Sequence, residues 1–257
     1  MRDKSIRILN IIKDFFIYKW FYLIKQDKNK NIAFNLVYSN CAVLCKGESL
    51  TAFLKVENKF DCLILINFDK TFKKFPLIFE KIGNTPVIIL TSRDEPILKF
   101  RQRKNLNIIK VYSRLSAPNL KEFNQLRIRR RLEGYGLQVN SLFNIVDANI
   151  IKDKLRNTGL LGVYFASIYF KNISIFGLDF YTGPYFTKTP GKLPTIYDKE
   201  KGKILKSNEI TMEFSKTFID ICSSFPANYY TIHTYFNNWK TSCSNLQTKT
   251  LSEFGET

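Results

Sequence analysis

Residues 174–186, SIFGLDFYTGPYF, place one carboxylate and two phenols directly after an apolar run. Asp179 follows the run, and Tyr181 and Tyr185 come next, on either side of a Gly-Pro pair. Phenolic O–H groups can stabilise negative charge that develops on a leaving oxygen, so the pattern indicates a site at the end of a buried strand. The competing interpretation is that both tyrosines cap a core strand and satisfy their hydroxyls locally.

A general base is the second group that such chemistry needs, and the chain has a single histidine. His233 lies in the run YYTIHTYF, at the carboxyl end of an expected strand, and imidazoles titrate near neutral pH. Lys206 is a second candidate, provided that burial or nearby cations lower its pKa by several units, and Glu209 is a third. The competing interpretation of His233 is a hydrogen-bonded core residue.

Six apolar runs would position these groups as strands, and the stretches between them are long enough for helices. The runs begin at Cys41 and continue at 60–68, 85–92, 107–113, 173–180 and 229–235. Continuous apolar strands that alternate with helices are typical of a parallel sheet covered on both faces. The sequence therefore predicts a single doubly wound, mostly parallel sheet of the α/β class.

Ligands bind outside the carboxyl ends of the strands in sheets of this class. The rule selects four groups that should converge, namely residues 46–49, Asn67, 179–185 and 233–235. Gly47 and the helical start near Ser49 predict a loop whose backbone N–H groups bind an anion. The turn Asn157-Thr158-Gly159 opens a later helix and predicts a second anion site.

Three segments resemble the bacterial sialyltransferases of glycosyltransferase family 42. VLCKGESL is similar to their nucleotide-binding loop, NTGLLGVYFASIYFKNISIFGLDFY to their Ser/Thr-Gly helix and following strand, and PYF to their tyrosine-bearing loop. The similarity covers about 158–186 and 41–68. It implies a Rossmann-like, GT-A-type fold. It also implies metal-independent transfer of sialic acid or a related sugar from a CMP-sugar donor to a glycan acceptor of the lipooligosaccharide or capsule type.

The resemblance implies roles for individual residues. Tyr181 and Tyr185 would donate hydrogen bonds to the departing phosphate. The donor nucleotide would lie against Lys46, Gly47, Ser49, Asn67, Thr158, Gly159, Gly177, Asp179 and Phe180. Lys46 replaces the asparagine of the family loop, and the family's general-base histidine has no counterpart, which leaves His233 or Lys206 as substitutes. If neither acts, the chain is a degenerate transferase that binds without catalysing.

The net charge of the chain restricts the class of binding partner. The 40 Lys and Arg against 22 Asp and Glu give a net charge of +18, which favours a polyanionic partner. A membrane with anionic head groups is the favoured one. The Arg-rich cluster at 127–131 keeps a basic nucleic-acid-binding protein as an alternative, although stacking aromatics are sparse around it. A pyrophosphokinase-like, Mg²⁺-requiring enzyme on the same fold is the other alternative.

Two further patterns bear on cofactors and location. The sequence has no D-x-D carboxylate pair, so no metal is expected and the CMP-sugar is the only small molecule that the chemistry requires. The five cysteines are odd in number and partly embedded in apolar runs, which indicates the reducing cytoplasm rather than a secreted disulfide framework.

Three parts are expected along the chain. Residues 1–37 form an amphipathic extension, whose helix at 6–24 packs on the domain or lies in the lipid interface on the inner face of the cytoplasmic membrane. Residues 38–240 form the nucleotide-sugar-binding α/β domain, with a lid at about 186–208, and 241–257 form a polar tail. The expected partners are the CMP-sugar, a glycan or glycolipid acceptor and the membrane surface. No specific nucleic acid is expected, and a homo-oligomer is left open.

Overall fold

The structure of the chain is a computed structural model. It describes residues 39–67, 76–91, 106–113, 139–141, 157–180, 197–198, 203–204, 207–234 and 243–250. The chain divides into two compact units, 1–37 and 38–257, and the described residues all lie in the second.

Eight described strands form one sheet. They are β1 (Asn40–Leu44), β2 (Cys62–Ile66), β3 (Val87–Thr91), β4 (Ile108–Ser113), β5 (Val139–Ser141), β6 (Asn172–Phe176), β9 (Tyr229–Thr234) and β10 (Leu246–Thr250). Their order is β10-β9-β6-β1-β2-β3-β4-β5, and every neighbouring pair is parallel. Two further strands, β7 (Tyr197–Asp198) and β8 (Lys203–Ile204), form a small antiparallel ribbon inside the expected lid segment.

The described helices cover both faces of the sheet. They are α1 (Ala52–Lys55), α2 (Pro76–Ile82), α3 (Thr158–Tyr169) and α4 (Ser207–Ser224), and a 3₁₀ turn (Glu48–Thr51) leads into α1. Phe53 of α1 and Ile78 of α2 pack on one face, in a cluster with Leu44 of β1. On the other face, Gly162 of α3 lies against Ile66 of β2. The doubly wound, Rossmann-like α/β fold predicted from the sequence is confirmed.

The apolar runs explain why the central strands form. Every residue of β2 and β3 is buried, and alternate side chains point to opposite faces of the sheet. Each face therefore receives Val, Ile and Leu side chains, and full burial of one such side chain stabilises the fold by about 1.5–3 kcal/mol.

Two strands of the sheet were not among the six expected. One is the short strand β5, and the other is β10, which lies within the segment 241–257 that was expected to be a polar tail. Residues 246–250 of that segment pair with β9 in parallel. The sequence of β10, LQTKT, carries one large apolar residue, because an edge strand needs the backbone ladder and little side-chain burial.

No helix within the described residues is both long enough and apolar enough to cross a membrane. The expected amphipathic helix at 6–24 lies outside the described residues.

Candidate functional site

The strand order contains a topological switch point between β1 and β6. After β1 the sheet extends through β2, β3, β4 and β5 on one side, and β6 then returns to the other side of β1. In open α/β sheets the crevice outside the carboxyl ends of two such strands is the usual ligand site. The candidate site is therefore formed by residues 45–49, which follow β1, and residues 177–180, which follow β6.

Backbone hydrogen bonds join these two loops beyond the ends of their strands. The Cys45 N–H donates to the Phe176 carbonyl at 2.8 Å, and the Gly47 N–H donates to the Gly177 carbonyl at 2.8 Å. Gly177 has a φ of +73°, and a Cβ there would lie 2.6 Å from the Cys45 carbonyl oxygen. A Cβ on Gly47 would lie 2.6 Å from the Gly177 oxygen. Both glycines are thus required for the close approach of the loops.

The carboxylate of Asp179 connects three strand ends. It accepts hydrogen bonds from the Ser49 N–H at 3.0 Å, from the Ser49 hydroxyl, and from the Thr234 hydroxyl at a longer 3.4 Å. The Ser49 hydroxyl in turn accepts from the Gly177 N–H at 3.0 Å. Asp179 is 2% exposed, while Ser49 and Thr234 are fully buried. These contacts form an internal brace, the Asp179 brace, between the ends of β1, β6 and β9.

The brace changes the interpretation of the first expected anion site. The N–H of Ser49, at the start of the 3₁₀ turn, does point at an anion, but this anion is the chain's own Asp179. A carboxylate near a helical N-terminus is stabilised by the N–H groups there. A bound phosphate would therefore be held by groups beside Ser49 and Asp179 rather than by Ser49 itself.

The second expected anion site is capped in a similar way. Asn157 precedes α3, and its side-chain oxygen accepts hydrogen bonds from the N–H groups of Gly159 at 2.6 Å and Leu160 at 3.2 Å. Thr158 begins the helix as the sequence predicts. A Cβ on Gly159 would lie 2.8 Å from Leu178 and 3.2 Å from the Cys45 sulfur, so this end of α3 packs directly on the two loops of the candidate site.

Two residues at the carboxyl edge have left-handed backbone conformations. Asn67, just after β2, has a φ of 49°, and Phe180 has a φ of 46°. Asparagine tolerates this region, but for a bulky side chain it is strained. Phe180 is held in place because its ring packs 5.9 Å from that of Phe218 and its carbonyl accepts a 2.9 Å hydrogen bond from Thr211. Such strain is often found at functional sites, and here it falls immediately before Tyr181.

His233 lies one residue before the brace and on the opposite face of its strand. Its ring is 2% exposed and stacks on Phe176, with ring centroids 4.3 Å apart and planes 16° apart. Burial and the nearby Lys249 ammonium lower the pKa of His233 to about 4. This placement favours packing over base catalysis, because a group with so low a pKa is a weak acceptor of protons.

Some of the site residues expected from the sequence lie close together in the structure. Residues 46–49, Asp179, Phe180 and Thr234 meet at one edge, and Asn67 ends the neighbouring strand β2 on that same edge. The three candidates closest to the chemistry, Tyr181, Tyr185 and Lys206, lie outside the described residues.

The sequence interpretation missed Thr211 and Phe218, which hold Phe180 in its strained conformation. Both lie on α4, more than thirty residues further along the chain. No local pattern marks them, since a threonine and a phenylalanine are ordinary residues in a helix.

The described residues contain no group of three His, Cys, Asp or Glu side chains that could hold a metal ion. The expectation that the chemistry needs no metal stays a prediction.

Comparison with protein-family models finds no family that matches the chain, and comparisons with curated proteins and with solved structures find no match either.

Proposed function

We propose that the chain is a glycosyltransferase that moves sialic acid or a related sugar from a CMP-sugar donor to a glycan acceptor of the lipooligosaccharide or capsule type, without a metal. The observation that carries the proposal is the Asp179 brace at the topological switch point. It joins the loop after β1 to the loop after β6. These are two of the segments that resemble the donor site of the bacterial sialyltransferases.

The proposed chemistry breaks the bond between the anomeric carbon of the sugar and the phosphate oxygen of CMP. The bonding electrons stay on that oxygen, and the acceptor hydroxyl attacks the carbon and loses its proton to a base. Tyr181 and Tyr185 would donate hydrogen bonds to the phosphate as its charge develops. Tyr181 directly follows Phe180, whose left-handed backbone is held by contacts with α4.

The brace has a positioning role in this proposal. Ser49 and Asp179 are buried and bonded to each other, so they set the distance between the loops and do not contact the donor. Lys46, which is half-buried in the same loop as Ser49, is then the proposed cationic contact of the phosphate, and Asn67 lies at the end of the adjacent strand β2. Lys206 becomes the favoured base, since His233 is stacked in the interior.

The acceptor places the proposed enzyme at the inner face of the cytoplasmic membrane, as a peripheral protein. The net charge of +18 supports this, because anionic head groups attract basic proteins. The lid at 186–208, which contains the β7–β8 ribbon, would close over the donor.

Thermal denaturation with nucleotides tests the proposal. CMP at about 100 times its Kd should stabilise the native state by about 2.7 kcal/mol, which raises Tm by roughly 5–10 °C in a chain of this size. Cytidine, which lacks the phosphate, is the matched control and should have a much smaller effect. The shift with CMP should be the same with and without EDTA.

Two other outcomes of this experiment would contradict the proposal and indicate a different function. A shift with ATP or GTP that requires Mg²⁺ would indicate a pyrophosphokinase-like enzyme. No shift with any nucleotide, together with salt-dependent retardation of short oligonucleotides, would indicate a nucleic-acid-binding protein.

A further inference from the structure

A cavity of about 380 Å³ opens at the amino-terminal edge of the sheet, opposite the candidate donor site. Asn40, Asn172 and Tyr229, the first residues of β1, β6 and β9, line it together with the segment before β2. The three strands have five or six residues each, so the cavity lies roughly 15–20 Å from the Asp179 brace. The volume is within the range of about 300–1,000 Å³ that is usual for small-molecule sites.

The wall of the cavity is polar where a parallel sheet is normally apolar. Ser174 and Thr231 are register partners in β6 and β9, on the same sheet face as Ala42 of β1, and both are half-buried. Interior positions of parallel strands usually carry Val, Ile or Leu. Within the part of the chain that the structure describes, neither hydroxyl bonds to another side chain. Both hydroxyls are therefore available to a ligand.

The rim of the cavity is fixed before any ligand binds. The Asn172 side chain donates a 2.9 Å hydrogen bond to the Asn40 side-chain oxygen. The Asn40 N–H donates to the Asp61 carboxylate at 2.9 Å. The first contact orients both amides and still leaves the NH₂ group of Asn40 and the carbonyl oxygen of Asn172 able to bond elsewhere.

The chemistry of the lining selects a class of ligand. Amides and hydroxyls supply uncharged donors and acceptors, Phe60 supplies an aromatic surface, and Lys59 is the one cation among the described residues that line the cavity. A saccharide matches this combination, because its hydroxyls need many uncharged partners and its C–H face packs on an aromatic ring. A nucleoside polyphosphate does not match it, since a single exposed ammonium would face several negative charges.

We propose that this amino-edge cavity binds a short saccharide that carries at most one acidic group, to which the Lys59 ammonium would donate a hydrogen bond. The site lies at the opposite end of the strands from the candidate donor site, so it does not depend on the proposed transferase activity.

Saturation-transfer NMR on the full chain tests this site with galactose, N-acetylglucosamine and glucuronic acid at millimolar concentration. At least one of these sugars should receive saturation. Thr231→Val removes a hydroxyl and keeps the shape of the side chain, so it should weaken binding about three- to tenfold. Thr248→Val is the matched control, because Thr248 lies on the next strand and on the other face of the sheet. It should leave binding unchanged.

A charge variant tests the role of Lys59. Lys59→Gln should weaken the binding of glucuronic acid and leave the binding of galactose unchanged. Lys55→Gln, at an exposed position of α1, should change neither. The proposal is overturned if none of the three sugars receives saturation. It is also overturned if the Thr231→Val and Thr248→Val variants bind the sugar equally well. If circular dichroism shows that Thr231→Val is unfolded, Tyr229→Phe decides instead, since Tyr229 is 61% exposed and its change spares the core. Undiminished binding by that variant would refute the site.

Discussion

The two ends of strands β1, β6 and β9 use polar residues in opposite ways. At the carboxyl end, Ser49, Asp179 and Thr234 are buried and bonded to one another. At the amino end, Ser174 is half-buried and Tyr229 is largely exposed beside an open cavity. Buried polar groups must be paired within the protein, whereas half-buried ones can pair with a ligand. The carboxyl end is thus a framework that positions its neighbours, and the amino end is itself a binding surface.

Removing the carboxylate of the brace should give the largest change in stability. Asp179→Ala leaves the Ser49 N–H and hydroxyl buried without their charged acceptor, and we expect the free energy of unfolding to fall by about 4 kcal/mol. Urea denaturation measures this free energy of unfolding. The matched change at the other end, Ser174→Ala, should lower the free energy by less than about 0.5 kcal/mol. Equal losses in the two variants would show that the two ends do not differ as described.

The phenols beside the brace should affect turnover more than stability. If the proposed transfer takes place, Tyr181→Phe and Tyr185→Phe each remove one hydrogen bond to the developing phosphate charge. Turnover should fall about a hundredfold, or ~3 kcal/mol, with a smaller change in donor affinity. Tyr164→Phe is the control, since Tyr164 packs its ring on Phe225 and belongs to neither loop of the candidate site. Normal turnover with a Tm lowered in both variants would instead identify the two tyrosines as caps of the core.

His233, next to the brace at the carboxyl end of β9, should give the smallest effect, visible only at acid pH. Its pKa of about 4 in the fold lies below the value near 6.5 of an unfolded chain. The unfolded state therefore binds the proton first, so the contribution of His233 to stability is present above pH 6.5 and is lost as the pH falls towards 4.

The variant His233→Phe isolates that contribution. Between pH 7 and pH 4.5 the natural chain should lose about 2 kcal/mol more stability than the variant, measured by urea denaturation at both pH values. Phenylalanine keeps the stacking on Phe176, which makes the comparison a test of charge alone. Parallel losses in the two proteins would mean that His233 is accessible to solvent protons in the fold, contrary to its burial.

The sequence predicted the elements whose signals are local. The run CLILI of β2 is apolar throughout, and the Asn157 turn marks the start of α3, so both were correctly placed. The strand LQTKT of β10 was not predicted, because an edge strand carries little hydrophobic pattern. The sequence also did not predict the face of the sheet on which His233 lies. Neighbouring residues of a strand point to opposite faces, so Thr234 joins the brace while His233, one residue earlier, packs in the core.

The brace itself could not have been found from spacing. Ser49 and Asp179 are separated by 130 positions, and their contact depends on β6 returning beside β1. Strand order of this kind follows from the packing of the whole sheet. The resemblance drew attention to both residues but implied contact with a nucleotide, whereas the structure shows each contacting the other.

The return of β6 to the side of β1 has a consequence during synthesis. Until residue 172 has been translated, β1 has β2 on one side only, and its other edge is open although it will become the centre of the sheet. At cellular elongation rates of about 5–20 residues per second, this edge stays unpaired for on the order of ten seconds. An apolar strand with an open edge is prone to pair with other chains. The nascent chain is therefore most exposed to aggregation, and most in need of a chaperone, before the second half of the candidate donor site has been made.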